Sequence, residues 1–298
     1  PIILCFYTPT AIIWFHNLVD SMNNINAPSY FKKIGANDVF SWWDPEHDDR
    51  AHLYLWEVRK IGEWLKLYFP LGFKKIRILE IASGKGRIRS YLGTKHLKIL
   101  PNNVDYTVIE INQQMLNYSK NRFKGEGLRV NSILGDAHNL PFNKNSFDIV
   151  ICVETFVHLP KLRKVVKEIG KVLKPNGFLI SNVDLSTSLR RKVKNIFFMI
   201  NSKINSSYKH RGSGIFKPYG LEEYENILLK EKFTIINKLY YGLFAPIEIE
   251  IYDKDHRVAL INKFISQKLF WLDKLLSYKD KLSSMNTYFL TISKNEKN

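Results

Sequence analysis

The chain has 298 residues, 45% of them hydrophobic, which is enough to bury one large core and excludes a wholly disordered protein. Its formal net charge of +17 would suit a nucleic acid or an anionic membrane surface, but the abundance of lysine, isoleucine and asparagine is also what AT-rich coding produces. Two distant cysteines, Cys5 and Cys152, argue against a disulfide framework or a cysteine zinc site and predict a reduced, cytoplasmic protein.

Residues 1–26 form an apolar segment with no charged residue before Asp20. The segment lacks the basic start of a signal peptide and is interrupted by Pro9, so neither a signal nor a transmembrane segment is favoured. We expect it to be an extension outside the core. Because the chain begins at a proline, its start is that of a fragment, of a processed chain or of a misassigned gene.

From residue 74 onward, short apolar runs alternate with helical patterns. The runs are IRILEIA, DYTVIEI, LRVNSIL, FDIVICV and NGFLISNV. Continuous apolar strands separated by helices are typical of a parallel sheet covered by helices on both faces. A helix with apolar residues at Leu55, Val58, Ile61 and Leu65 precedes the first run. The sequence therefore predicts an α/β fold.

Residues 185–221 are rich in lysine and arginine and lack aspartate and glutamate, which predicts an insertion after the fifth strand. Apolar residues at helical spacing inside it predict a basic amphipathic helix: Leu189, Val193, Ile196, Phe197 and Ile200. Such a helix touches an anionic bilayer, contacts RNA phosphates or packs as a lid. Beyond it, GLEEYENILLKEKF predicts a helix, FTIINKLYYG a strand, residues 256–282 a long amphipathic helix, and MNTYFLTISK a last strand.

The stretch IRILEIASGKGRIR places Glu80 at the end of a strand and Gly84 and Gly86 in the turn that follows. Glycine lets a backbone approach a ligand closely, although the dinucleotide-binding spacing G-x-G-x-x-G is absent. Glu110 ends the second strand and Asp136 follows the third. Because ligands of open α/β sheets bind at the carboxyl ends of the strands, we expect these acids to surround one crevice.

Four ordered motifs within residues 76–184 resemble the class I S-adenosylmethionine-dependent methyltransferases, in particular the subgroup acting on small molecules and lipids. The motifs are EIASGKG, YTVIEINQQML, GDAHNLPFNKNSFDIVICVETFVHL and VVKEIGKVLKPNGFLI. The resemblance implies a Rossmann-like, seven-stranded, mostly parallel sheet, with an antiparallel last strand, helices on both faces and a helical lid insertion. Ala82 departs from the glycine usual at its position in the first motif.

The resemblance also implies the site. Glu80 and the loop hold the methionine end of S-adenosyl-L-methionine, Glu110 binds the ribose, and Asp136 contacts the adenine. His158 is a candidate general base near the transferable methyl group, although it is equally suited to capping a helix. The implied cofactor-binding residues are Glu80, Ala82, Ser83, Gly84, Gly86, Glu110, Ile111, Met115, Asp136, Ala137, Val153 and Glu154.

We therefore expect one methyltransferase domain over residues 27–298, with a cofactor-binding core at 74–184, a substrate lid at 185–250, and a C-terminal helix and last strand at 251–294. Its expected activity is in-line methyl transfer to a small-molecule or lipid acceptor, with peripheral contact to an anionic membrane as one possibility and no metal. Two alternatives stay open: a tRNA-modifying methyltransferase, and a noncatalytic protein that keeps the fold.

Overall fold

The computed structural model describes residues 51–69, 76–94, 97–102, 104–204, 217–245, 247–250, 257–261, 263–276 and 285–297. The predicted extension at residues 1–26 lies outside the described residues, as do residues 205–216 of the predicted basic insertion. Within the described part, helices and strands alternate as the sequence predicts for an α/β fold.

The helices and strands are numbered in chain order. The helices are α1 (Ala51–Tyr68), α2 (Arg87–Gly93), α3 (Gln113–Gly125), α4 (Leu162–Val172), α5 (Leu189–Ile204), α6 (Leu221–Lys230) and α7 (Lys263–Leu276). The strands are β1 (Arg77–Ile81), β2 (Asp105–Glu110), β3 (Asn131–Leu134), β4 (Phe147–Cys152), β5 (Leu173–Asp184), β6 (Phe233–Tyr241), β7 (Ile247–Glu250), β8 (Arg257–Ile261) and β9 (Tyr288–Asn295). A short 3-10 turn, Phe156–His158, follows β4.

Seven strands form one sheet in the order β3-β2-β1-β4-β5-β9-β6. The first five strands of this order pair in parallel, whereas β9 pairs antiparallel with both β5 and β6. Since β5 and β6 are both antiparallel to β9, they run in the same direction. The predicted seven-stranded, mostly parallel sheet with an antiparallel last strand is confirmed.

Apolar residues cover the sheet on both faces. One core contains Leu53, Val58 and Ile61 of α1 against residues of β1, β2 and β4. The other contains Val165 and Ile169 of α4 against further residues of β1, β4 and β5. Burial on both faces explains why the central strands are continuously apolar in sequence.

Three details differ from the sequence predictions. Residues 256–282 are not one helix, because Arg257–Ile261 forms β8 and pairs antiparallel with β7, and α7 begins only at Lys263. In α1, Leu55 is exposed, because the buried face of the helix includes Glu57 instead. The strand β3 is only partly buried because it lies at the edge of the sheet.

The predicted basic helix is present as α5, but its apolar residues are not all on a buried face. Leu189 and Val193 are half-buried, whereas Ile196 is exposed. The described chain resumes at Lys217, whose backbone N–H donates to the carbonyl of Val157 in the 3-10 turn at 2.7 Å. Among the described helices, none combines the length and apolar composition needed to cross a membrane.

Candidate active site

A cavity of about 130 Å³ lies at the carboxyl ends of the parallel strands. Its wall includes Glu80 at the end of β1, Glu110 at the end of β2, and Glu154 two residues after β4. A smaller cavity of about 40 Å³ adjoins it, since Ile111 and His158 line both. The carboxylates predicted at strand ends are therefore brought to one edge of the sheet.

Most of the residues predicted to bind the cofactor line these two cavities. The larger cavity is lined by Glu80, Ala82, Ser83, Gly84, Glu110, Ile111, Met115, Val153, Glu154 and the candidate base His158. Asp136 and Ala137 line the smaller one, together with Ala82, Ile111 and His158. Gly86 lines neither.

The turn between β1 and α2 depends on left-handed backbone conformations. Gly84 has φ of 53°, and a Cβ added there would meet no atom within 4 Å, so the loop leaves open space on that side. Gly86 has φ of 77°, but a Cβ there would lie 2.5 Å from the Phe123 ring. Gly86 is thus required for packing against α3. Gly84 is the glycine beside which a ligand has space to approach the backbone.

Ala82 also has a positive φ, 53°, which explains why glycine suits this position. A left-handed conformation costs a non-glycine residue about 1–2 kcal/mol. Alanine at this position therefore holds a strained backbone conformation. Glu154 is left-handed as well, with φ of 56°. Strain of this kind concentrates at functional sites.

Glu110 holds the turn in place through its carboxylate. One oxygen accepts the Gly84 N–H at 2.9 Å, and the other accepts the N–H groups of Ile111 and Asn112 at 2.9 and 3.0 Å. Burial raises the pKa of Glu110, and the three backbone donors oppose that shift. Glu110 therefore joins the end of β2 to the loop that follows β1.

Glu80 is almost fully buried, and the Tyr106 hydroxyl donates to its carboxylate at 2.7 Å. Burial raises the pKa of Glu80 to about 7, although the Tyr106 hydrogen bond and the Arg87 charge act to lower it. Near neutral pH the charged and neutral forms of this carboxyl group are consequently both populated.

A buried polar network that the sequence analysis missed lies behind the cavity. Glu57 of α1 accepts a hydrogen bond from Arg87 at 3.0 Å and another from Asn182 at 2.7 Å. The Tyr241 hydroxyl also donates to Glu57. Burial acts to lower the pKa of Arg87, but Glu57 and Glu154 outweigh it, so the pKa lies above its ordinary value.

Asn182 connects this network to the cavity wall. Its side-chain oxygen accepts the Glu154 N–H at 2.6 Å, and its amide nitrogen donates to the Glu154 carboxylate at 2.7 Å. These two bonds orient Glu154 while its backbone is left-handed. The sequence contained a signal for Asn182. This residue lies near the carboxyl end of β5, which is the position in a strand that also identified the predicted acids.

Sequence signals for the other missed residues exist as well. Arg87 directly follows the last glycine of the loop, and Glu57 occupies the apolar face of α1 between Leu53 and Ile61 at helical spacing. A carboxylate among apolar residues of a helix requires a buried partner. Only the fold identifies that partner.

Asp136 is engaged by a neighbouring histidine. Its carboxylate accepts the His138 backbone N–H at 2.9 Å and contacts His138 Nδ1 at 2.8 Å. His138 Nε2 lies 2.6 Å from the Pro160 carbonyl oxygen. The histidine thus bridges the loop after β3 to the loop after β4, on the side of the smaller cavity.

Residues 79–181 match the protein family described as "Methyltransferase domain". This part of the chain therefore forms a methyltransferase domain. The matched residues include most of β1, all of β2 to β4 and most of β5, and with them the residues that line both cavities. The family expected from the four sequence motifs is confirmed.

The methyltransferase domain has relatives among characterised proteins. A phthiotriol/phenolphthiotriol dimycocerosates methyltransferase of Mycobacterium tuberculosis is 36% identical over 133 residues, which are 45% of this chain and 44% of the relative. The ubiquinone/menaquinone biosynthesis C-methyltransferase UbiE of Rickettsia prowazekii is 36% identical over 102 residues, which are 34% of this chain and 41% of the relative. The chain thus matches less than half the length of these relatives.

The fold has solved counterparts. Magnesium protoporphyrin IX methyltransferase of Synechocystis PCC 6803 superposes with a TM-score of 0.55, covering 90% of this chain and 96% of that one, at 12% identity. At this identity the similarity establishes that the two proteins share a fold, and the Rossmann-like class predicted from the sequence is confirmed.

Proposed function

We propose that this protein transfers the methyl group of S-adenosyl-L-methionine to a small-molecule or lipid acceptor. The observation that carries the proposal is the convergence of Glu80, Glu110 and the open turn at Gly84 on one cavity at the carboxyl edge of the sheet. This edge is where open α/β sheets bind nucleotide-like ligands.

The residues of the cavity fit an adenosyl sulfonium. The Ser83 hydroxyl is buried and has no hydrogen-bond partner among the described residues, so a polar group of a ligand would satisfy it. Ile111, Met115 and Leu159 provide apolar surface for an adenine ring. Glu110 is placed to accept hydrogen bonds from ribose hydroxyls.

The amino-acid end of the cofactor would lie against charged side chains. Arg87 supplies a buried cation for a carboxylate, and Glu154 and Glu80 supply acceptors for an ammonium group. When bound, the cofactor supplies an electrophilic methyl group on a positively charged sulfur. The task of the protein is then to align an acceptor with that methyl group and to exclude water.

The acceptor would enter from the side of α5 and His158. Within the predicted lid at 185–250, Lys217 lies directly beside the 3-10 turn that contains His158. His158 lines both cavities, which suits a base that removes a proton from an acceptor hydroxyl. The lid at 185–250 and the base thereby form the proposed acceptor side of the site.

The relatives support the proposed class of acceptor. The two reported above are named for a lipid and for quinone biosynthesis, and neither favours a tRNA substrate or a noncatalytic role. Incubation with labelled cofactor and a cell extract, followed by organic extraction, should place the label in the lipid-soluble fraction. Label confined to RNA would contradict the proposed acceptor. The cytoplasmic location stays a prediction.

Binding of S-adenosylhomocysteine by calorimetry tests the cofactor site. We expect one molecule to bind per chain and Glu110→Gln to weaken binding at least tenfold, because the glutamine nitrogen faces the Gly84 N–H and the charged acceptor is lost. Asp105→Asn, at the opposite end of the same strand and half exposed, should change the affinity less than twofold. No binding by the unchanged protein, or equal losses in both variants, would refute the site.

A further inference from the structure

The helix α7 exposes large apolar residues on one face, although two of its polar residues are buried on the opposite face. Ser266 and Asp273 are each 1% exposed, whereas Phe264 is 71%, Trp271 61% and Leu275 61% exposed. A surface helix of a globular protein normally has the opposite arrangement, with its apolar residues facing the core. The exposure of these apolar residues therefore requires an explanation.

The orientation of α7 is fixed by specific contacts on its buried side. Ser266 Oγ lies 2.9 Å from His52 Nε2 of α1, and Asp273 accepts the Gly242 N–H at 3.1 Å. The Phe270 ring packs edge-on against His52 and Trp56, with centroid distances of 5.2 and 5.7 Å. Rotating the helix to bury its exposed apolar residues would break all of these contacts.

The exposed apolar residues form a single stripe. Phe264, Trp271 and Leu275 follow one another at intervals of seven and four residues, which places them on one face of an α-helix. The eleven helical rises between Phe264 and Leu275 span about 16 Å. Ile265, 42% exposed, extends the apolar surface to one side. Contiguous exposed aromatic and aliphatic groups of this kind mark an interaction surface.

The charges beside the stripe are basic. Lys268 lies between Phe264 and Trp271 on the same face, and Lys274 is also exposed. The only acidic residue of the helix, Asp273, is on the buried side. The whole chain carries a formal charge of +17. The partner of the stripe is therefore apolar inside and anionic at its surface, which is the chemistry of an anionic bilayer.

The position of α7 connects this surface to the cavity. Its buried Asp273 binds the backbone just after β6, and β6 runs parallel to β5, so α7 lies near the edge of the sheet at which the cavity lies. The basic helix α5, which exposes Ile196 and Met199, comes next in the chain after the carboxyl end of β5.

From these observations we infer that α7 docks the protein on an anionic membrane surface, with Phe264, Trp271 and Leu275 entering the interfacial region and Lys268 contacting lipid headgroups. The sequence had considered a membrane contact for the basic insertion, not for this helix. The inference does not depend on methyl transfer, because it rests on the surface of α7 alone.

Co-sedimentation of the full chain with lipid vesicles tests the inference. The vesicles are phosphatidylcholine alone and phosphatidylcholine mixed with phosphatidylglycerol. We expect binding to the anionic vesicles and at least tenfold weaker binding by Phe264→Ser/Trp271→Ser, which loses two interfacial aromatic groups. Leu67→Ser/Leu229→Ser removes side chains of similar exposure, 63% and 68%, from α1 and α6, and should change binding less than twofold.

The charge contribution is tested separately. Lys268→Glu should weaken binding to anionic vesicles at least fivefold, whereas Lys120→Glu, an equal charge change on the exposed side of α3, should have a smaller effect. Added salt should weaken binding of the unchanged protein.

Three outcomes would overturn the inference: no binding to anionic vesicles, equal losses in the α7 double variant and its control, or a dimer in light scattering that Phe264→Ser/Trp271→Ser abolishes. The last would assign the stripe to a second copy of the chain. S-adenosylhomocysteine affinity, measured on the same α7 variants, should be unchanged, so failure of this inference is distinguishable from failure of the proposed cofactor site.

Discussion

The carboxyl group of Glu80 combines deep burial with a single side-chain donor, the Tyr106 hydroxyl. A strand end in the middle of a sheet gives this carboxylate little access to water, which is why its pKa rises to about 7. In the folded protein the group therefore keeps its proton over a pH range in which the unfolded chain has released it.

This difference predicts how stability depends on pH. Between pH 4.5, the ordinary pKa of the group, and about 7, the folded state binds more protons at Glu80 than the unfolded state does, so the free energy of unfolding falls as pH rises. Glu80→Gln should remove this contribution to the fall in the free energy of unfolding, which is on the order of 3 kcal/mol at most. Urea unfolding at pH 5 and pH 8 measures it, and a variant with the original pH slope would contradict the assignment.

The helix α1 is tied by a buried ion pair to Arg87, the residue that follows the turn between β1 and α2. Glu57 and Arg87 have almost no exposed side-chain surface, and Asn182 and Tyr241 complete the bonding of Glu57. The pair joins α1 to α2, and Asn182 extends the connection to β5 and to Glu154. A buried charge left without its partner is far more costly than an exposed one.

Substitution of glutamates on the two sides of α1 tests this connection. Glu57→Leu should lower the free energy of unfolding by about 3–5 kcal/mol, since Arg87 would stay buried without its counterion. Glu63→Leu, on the exposed side of α1 and paired with Lys60 at 2.7 Å, should cost less than about 1 kcal/mol. Urea midpoints compare the two variants, and similar losses in both would show that the buried pair does not stabilise α1.

The cavity brings together residues from three separate parts of the chain: the end of β1 with the turn and helix start after it, the end of β2 with the start of α3, and the segment after β4. A ligand held there contacts elements that are close only when the sheet is formed. Such a ligand binds the folded state alone and stabilises it by mass action.

S-adenosylhomocysteine should therefore raise the melting temperature. At a hundredfold excess over its dissociation constant the stabilisation is about 2.7 kcal/mol, which corresponds to about 5 °C for a chain of this size. The shift should grow with the logarithm of ligand concentration. L-methionine, which lacks the adenosyl group, should shift the melting temperature by less than about 1 °C. Differential scanning calorimetry measures both, and equal shifts would contradict an adenosyl site.

Sequence patterns predicted the alternation of strands and helices and the edge at which the acids meet, because a buried parallel strand is apolar throughout and its carboxyl end is marked by the residues after it. The identities of Glu80, Glu110 and Asp136 as strand-end acids followed from position alone. The family resemblance added the antiparallel place of β9 between β5 and β6.

The pairings between distant residues were decided only in the tertiary structure. Glu57 and Asn182 are 125 positions apart, and no local pattern shows that one is the partner of the other. The left-handed backbone at Ala82 and the strand at Arg257–Ile261 likewise depend on neighbours supplied by the rest of the fold. In α7 the periodicity revealed an amphipathic helix but not which side faces outward, because its rotation is fixed by contacts with α1 and with the backbone after β6.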